Sequence, residues 1–197
     1  MGILSGIKTV SEIFRSEKTE LYDVSGGRQI PFFLEDNRIY IIPGYQREIQ
    51  WDNEKVQILV DDLKNGNKFL GTVILSTSEV GKFEIIDGQQ RFTVITLMIT
   101  YLNSILPPSK RIEPICGLKN ASFECFEDAL VEEFDYEAIS KTNIKLSEYI
   151  NKTDVLEQKE DFRRIWLCLK ERIDGLVLCE QEDLLTSLSV SAQFLGR

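Results

Sequence analysis

Two short polar islands interrupt the apolar runs of this chain, and each contains a Gln-Arg pair. The first is Tyr45-Gln46-Arg47, followed by Trp51. The second is Asp87-Gly88-Gln89-Gln90-Arg91. Together they offer two arginines, three glutamine amides, one carboxylate and two aromatic rings. Arginine is a planar, permanently charged fork that suits phosphate oxygens. Amides add hydrogen bonds, and rings provide stacking surfaces for bases. A glycine allows close approach of backbone to ligand. The set therefore suits the phosphates of a nucleotide or of a nucleic acid. It contains no evident nucleophile, so hydrolysis there would use Asp87 or a bound metal to orient water. The chain has no Gly-x-x-x-x-Gly-Lys-Ser/Thr, which excludes an ordinary P-loop.

The second island sits between elements of recognisable type. Phe83-Glu84-Ile85-Ile86 is short and β-prone, Asp87-Gly88 is a strong turn signal, and Phe92–Leu102 is apolar and long enough for a helix. The order predicted is strand, tight turn, helix. A helix start offers N–H groups and the positive end of a dipole to an anion. On local sequence alone a buried strand entering a buried helix, with Asp87 as its cap, is the plainer reading. The Gln-Arg pair repeated in the first island is what favours a ligand site.

The first island lies on a break at Pro43-Gly44. Asp52 or Asn53 can cap a helix with apolar positions Val56, Leu59, Val60 and Leu63, ending at Asn65-Gly66-Asn67. Phe69–Ser76 reads as a buried strand with Gly71 near its start, and a turn at Glu79–Lys82 returns to Phe83. Upstream, Thr9 or Ser11 can cap a short helix, Arg15–Arg28 reads mainly as loop or weak hairpin, and Gln29–Leu34 with Arg38–Ile42 reads as a hairpin. Pro107-Pro108 ends the long helix and divides residues 1–108 from a mainly helical 109–197. In that second part 128–139, 144–150, 155–173 and 182–188 look helical, with Phe162, Ile165, Trp166, Leu169 and Ile173 on one face. Arg111–Phe126 has no clear type. Asp61-Asp62 is adjacent on a helix and reads as solvated surface, since neighbours do not face the same way. Lys64 and Lys68 could line a phosphate cleft, but isolated surface lysines are commoner.

The totals narrow the classes. The 197 residues carry a formal charge of −9, distributed as −3 over residues 1–108 and −6 over 109–197. A surface built to coat nucleic acid would need clustered Lys and Arg instead. The absence of histidine removes His-dependent triads, His-Asn-His nucleases and His-ligated zinc. Cys116, Cys125, Cys168 and Cys179 form no Cys-x-x-Cys pair and read as reduced thiols in a cytoplasmic protein. The longest apolar stretch is too short to span a bilayer. The chain stops at Phe194-Leu195-Gly196-Arg197 without an obvious natural end, so a fragment of a longer protein is expected.

Across residues 9–106 these features resemble the N-terminal domain of GmrSD-type modification-dependent restriction enzymes. The resemblance rests on Ile42-Pro43-Gly44-Tyr45-Gln46-Arg47 with Trp51, the helix through Leu63, the strand Phe69–Leu75, and Ile85-Ile86-Asp87-Gly88-Gln89-Gln90-Arg91 before a Thr-rich apolar helix. It implies an α+β fold with a ParB/sulfiredoxin-like small mixed sheet, packed helices, and a mainly helical C-terminal segment. It also implies that the Gly88–Arg91 turn receives nucleotide phosphates. GTP or ATP is the expected ligand, with Mg²⁺ as its companion ion. Asp87, Gln90 and Arg91 then carry the chemistry. Gly88, Gln89, Gln90 and Arg91, with Arg47, Gln46 and Tyr45 from the facing loop, bind the nucleotide. In such enzymes NTP hydrolysis is associated with DNA cleavage by a His-Asn-His-type domain, which a chain without histidine lacks. The expected partners are therefore nucleotide, DNA, a nuclease domain carried elsewhere and a second copy of the chain. The alternative is a non-catalytic module that binds DNA or a partner through the same cleft.

Overall fold

A computed structural model of the chain describes residues 4–15, 19–23, 30–34, 38–43, 45–46, 49–65, 69–79, 81–112, 117–120, 160–190 and 193–196. Arg47, the 128–139 and 144–150 helices, Lys68, Cys116 and Cys125 lie outside the described residues. The strands are β1 (Leu4–Thr9), β2 (Thr19–Asp23), β3 (Ile30–Leu34), β4 (Ile39–Ile42), β5 (Phe69–Glu79), β6 (Lys82–Asp87), β7 (Gly117–Asn120) and β8 (Gln193–Gly196). The helices are α1 (Val10–Phe14), α2 (Asn53–Lys64), α3 (Gln89–Ile105), α4 (Glu160–Asp174) and α5 (Leu178–Val190), with a 3₁₀ turn at Pro108–Lys110. The strands pair in the order β3-β2-β1-β8-β5-β6-β4-β7, both parallel and antiparallel. This is the expected α+β architecture: a mixed sheet with packed helices.

Helix α3 is the axis of the core. Every residue from Phe92 to Asn103 is buried, as a helix enclosed on all sides requires. Phe92 anchors its first turn, with ring centroids 4.4 Å from Phe14 of α1 and 4.7 Å from Tyr40 of β4. Two of its buried threonines are satisfied within the helix, Thr96 donating to the Phe92 carbonyl and Thr100 to the Thr96 carbonyl, whereas the buried Thr93 hydroxyl has no partner among the described residues. Leu106 closes the helix ahead of Pro107. On the far side Tyr101 meets Trp166 of α4 edge to face, with centroids 5.3 Å apart. Helix α2 packs on α4 and α5. Salt bridges Lys64–Glu180 and Arg172–Asp61 tie those helices at the surface.

Local sequence explains most boundaries. Thr9 caps α1 in a capping box: its hydroxyl accepts from Glu12 N–H, and the Glu12 carboxylate accepts from Thr9 N–H. Asp52 caps α2 by accepting from Lys55 N–H at 2.9 Å.

Three expectations are corrected. Gln29–Leu34 and Arg38–Ile42 do not form a hairpin: β3 pairs with β2, whereas β4 lies in parallel between β6 and β7. The apolar run Ile39-Tyr40-Ile41-Ile42 suits an interior strand with parallel neighbours. Arg15–Arg28 is not mainly loop: Thr19–Asp23 within it is β2, and antiparallel pairing with β3 overrides its polar composition. Asp87 is not the cap of α3, because it ends β6 opposite Ile74 and Gly88 occupies the cap position. The sequence reading also lacks β1, β7 and β8. These short strands are held by neighbours distant in sequence: β8 lies between β1 and β5, and β7 lies beside β4.

Candidate functional site

The β6–α3 junction is shaped by Gly88. Its φ of 90° and ψ of 7° are in the left-handed region, which a side chain rarely adopts. Space at this residue is also restricted: a Cβ there would lie 3.1 Å from the Thr72 carbonyl oxygen and 3.1 Å from Val73 Cγ2. Glycine thus lets the chain reverse tightly against β5 and start α3 at once, with Phe92 N–H bonded to the Gly88 carbonyl at 3.0 Å. No side chain caps this end of α3. The positive end of its dipole faces an open cleft of about 370 Å³, lined by Gln46, Trp51, Thr72, Asp87, Gly88, Gln89, Gln90 and Arg91.

The two polar islands therefore converge. Gln46 Nε2 donates to the Ile86 carbonyl at 2.9 Å and fixes the first island to the end of β6. Gln50 N–H donates to Gln90 Oε1 at 2.7 Å and joins the same loop to the first turn of α3. Buried Ile49 and the Asp52 cap hold the two ends of this short segment, so Trp51 is presented at the cleft. Tyr45 is 71% exposed and is not part of the cleft lining. Lys64 is engaged with Glu180, away from the cleft.

Arg91 and Asp87 supply the charge. The Arg91 side chain is half-buried in the cleft wall. Burial pushes the guanidinium down from its ordinary pKa, and the nearby Asp87 carboxylate pulls it back up. It remains a cation at neutral pH. Among the described residues Arg91 makes no hydrogen bond or salt bridge. Asp87 is exposed at the mouth. Among the described residues no group of three or more metal-ligating side chains occurs, so the cleft holds no ready-made metal cage. The single carboxylate of Asp87 fits Mg²⁺ only together with oxygens from a ligand, since Mg²⁺ commonly takes one or two carboxylates with ligand phosphates.

Of the sequence-derived site residues, the structure brings Gln46, Asp87, Gly88, Gln89, Gln90 and Arg91 to one cleft, together with Trp51. Thr72 lines it as well and was missed, since nothing marks a threonine within a strand as a site residue. Its neighbour Gly71 did carry a signal: glycine inside a strand often marks a bulge or a close contact.

Among the described residues no helix is long and apolar enough to cross a membrane. No curated protein matches the sequence. The family described as GmrSD restriction endonuclease, N-terminal domain, does match, over residues 30–189. This match spans both polar islands, all of α2 to α4 and nearly all of α5. The chain belongs to the family of GmrSD restriction endonuclease N-terminal domains, and so to the proteins of restriction and phage defence.

Proposed function

We propose that the cleft at the start of α3 binds the phosphates of a nucleoside triphosphate, GTP or ATP, and that the domain is a nucleotide-hydrolysing regulatory unit of its restriction system. The observation that carries this reading is Arg91: a half-buried guanidinium in a polar cleft, with no hydrogen-bonding partner among the described residues. Desolvating a cation without pairing it is unfavourable, and an anionic ligand offsets that cost. The uncapped N-terminus of α3 favours the same charge.

In this reading Arg91 and the Gly88–Gln90 segment hold phosphate oxygens. Trp51 supports the base, Gln46 fixes the loop, and Arg47 is the second cation assigned to the phosphates. Asp87 orients the attacking water and would hold Mg²⁺ together with the ligand's phosphates. Water adds to the γ-phosphorus, the bond to the bridging oxygen breaks, and the products are nucleoside diphosphate and inorganic phosphate. A ParB/sulfiredoxin-like core, a DNA partner, a nuclease domain carried elsewhere and a homodimer belong to the same proposal.

The test is calorimetric titration of the chain with imido analogues of GTP and ATP plus Mg²⁺, beside Arg91→Ala. Saturable binding of one analogue, lost in a variant with native circular dichroism, supports the site. Absence of binding overturns it. Salt-sensitive DNA binding indifferent to nucleotide would instead favour a non-catalytic DNA-binding module.

A further inference from the structure

Strand β5 departs from regular geometry at Gly71, where φ is 96° and the register against β8 shifts between Phe69 and Thr72. Bulges of this kind re-aim backbone near functional sites. A Cβ on Gly71 would lie 2.7 Å from Arg91 Nη1, 3.1 Å from Cζ and 3.2 Å from Nη2. Real Cβ atoms essentially never approach to 2.7 Å. The guanidinium thus occupies space available only because residue 71 has no side chain. Gly81 provides the contrast. It has a φ of 77°, yet a Cβ there would meet nothing within 4 Å.

We infer that Gly71 is a positioning residue for Arg91: the bulge of β5 is the seat on which the guanidinium rests in the cleft wall. Among the described residues no hydrogen bond or ion pair fixes that group. Its place is therefore set by packing, with Gly71 on one side. A methyl group at residue 71 meets the far end of a flexible side chain rather than backbone. Movement of Arg91 relieves that clash; the strain of an L side chain at a φ of 96° comes on top of it and is shared by the Gly81 control, whose φ is 77°. Pre-placing the cation lowers the ordering cost of binding an anion. The functional meaning rests on the phosphate-binding reading above, whereas the seat can be measured without any ligand.

The ligand-free test compares Gly71→Ala with Gly81→Ala, each alone and with Arg91→Ala. Phenylglyoxal modification of Arg91, followed by mass spectrometry, should accelerate severalfold in Gly71→Ala and stay at the native rate in Gly81→Ala. Thermal unfolding should show coupling: Gly71→Ala lowers the midpoint less when Arg91 is already alanine, whereas Gly81→Ala lowers it equally in both backgrounds. Unchanged Arg91 reactivity, or additive midpoints for Gly71→Ala, overturns the seat. If Gly71→Ala folds only with Arg91→Ala, the seat is supported; if it folds in neither background, backbone strain alone explains the glycine and the seat is overturned. In titrations with the imido analogues and Mg²⁺, Gly71→Ala should weaken binding about tenfold, equivalent to about 1.4 kcal/mol. A positive ligand-free result without nucleotide binding to the native chain supports the seat and overturns only the nucleotide reading.

Discussion

Gln90 Oε1 accepts a hydrogen bond from the Gln50 N–H at 2.7 Å, so the second residue of α3 holds the loop that presents Trp51. The Gln90 side chain is thus a tie between the two walls of the cleft as well as part of its lining. Gln90→Leu removes the acceptor and leaves the Gln50 N–H to water. The expected result is a weakening of nucleotide binding by about tenfold, the scale of one hydrogen bond that orders a site. Gln90→Glu keeps an acceptor for Gln50 but adds negative charge beside the phosphates. It should unfold near the native midpoint and bind more weakly than Gln90→Leu. Titration and thermal unfolding of the pair separate the two roles.

Arg38 is fully buried and joins the sheet to α1. Its Nη2 donates to the carbonyls of Glu12, Ile13 and Arg15 at 2.6, 2.9 and 3.0 Å, and its Nε donates to Tyr40 Oη at 2.8 Å. These carbonyls close a one-turn helix that has no room for internal partners. Arg38→Met should cost about 3 kcal/mol in urea unfolding, because it strands several buried acceptors at once. Arg38→Lys should recover only part of that loss, since an ammonium lacks the fork that reaches the carbonyls through Nη2 and Tyr40 Oη through Nε at once. Nucleotide affinity of the folded fraction should be unchanged, because Arg38 does not line the cleft.

Much of the site was legible because its residues declare themselves. Gly88 is needed at a positive φ, and the Gln-Arg pairs lie on breaks between elements that an apolar pattern already outlines. Cap-forming side chains narrowed the helix starts to Thr9 or Ser11 and to Asp52 or Asn53, and the structure takes the first of each pair. What the sequence did not reveal depends on distant partners. Arg38 reads only as the first residue of a β-prone run until the α1 carbonyls are placed around it. The Asp87 cap is lost to Gly88 because backbone sterics at β5 decide the turn. Strands β7 and β8 are only four residues long, and neither shows an apolar alternation strong enough to announce a strand without its neighbours.

Tyr101 makes stability depend on alkaline pH. Its hydroxyl donates to the Asp174 carboxylate, and its ring packs on Trp166. Burial first, then the hydrogen bond to Asp174 and the charge of Asp174, push the phenol well above its ordinary value of 10.0. Below pH 10 both folded and unfolded chains keep the proton, and the contribution is fully present. As pH rises past 10, the unfolded chain releases its proton while the folded chain retains it, so stability falls. Thermal midpoints measured from pH 8 to 11 should decline more steeply for the native chain than for Tyr101→Phe. At neutral pH the variant should be less stable by about 1–2 kcal/mol through loss of the charge-assisted hydrogen bond.

Trp51 offers a direct optical probe of the cleft. The chain has two tryptophans, and their surroundings differ. Trp51 is half-buried in the cleft wall, whereas Trp166 is 1% exposed beneath α3. A ligand entering the cleft displaces water from the Trp51 indole and places charge, or a base, near it. Trp166 is separated from that event by the packed core. Addition of a GTP or ATP analogue should therefore shift or quench the native emission, and the change should vanish in Trp51→Phe while the Trp166 signal persists. An identical response in Trp51→Phe would place the ligand elsewhere. Affinity in Trp51→Phe then measures stacking: a loss of about 1–3 kcal/mol would make the indole a platform for the base. A loss below about 0.5 kcal/mol would leave it a wall residue, and recognition would rest on the phosphates alone.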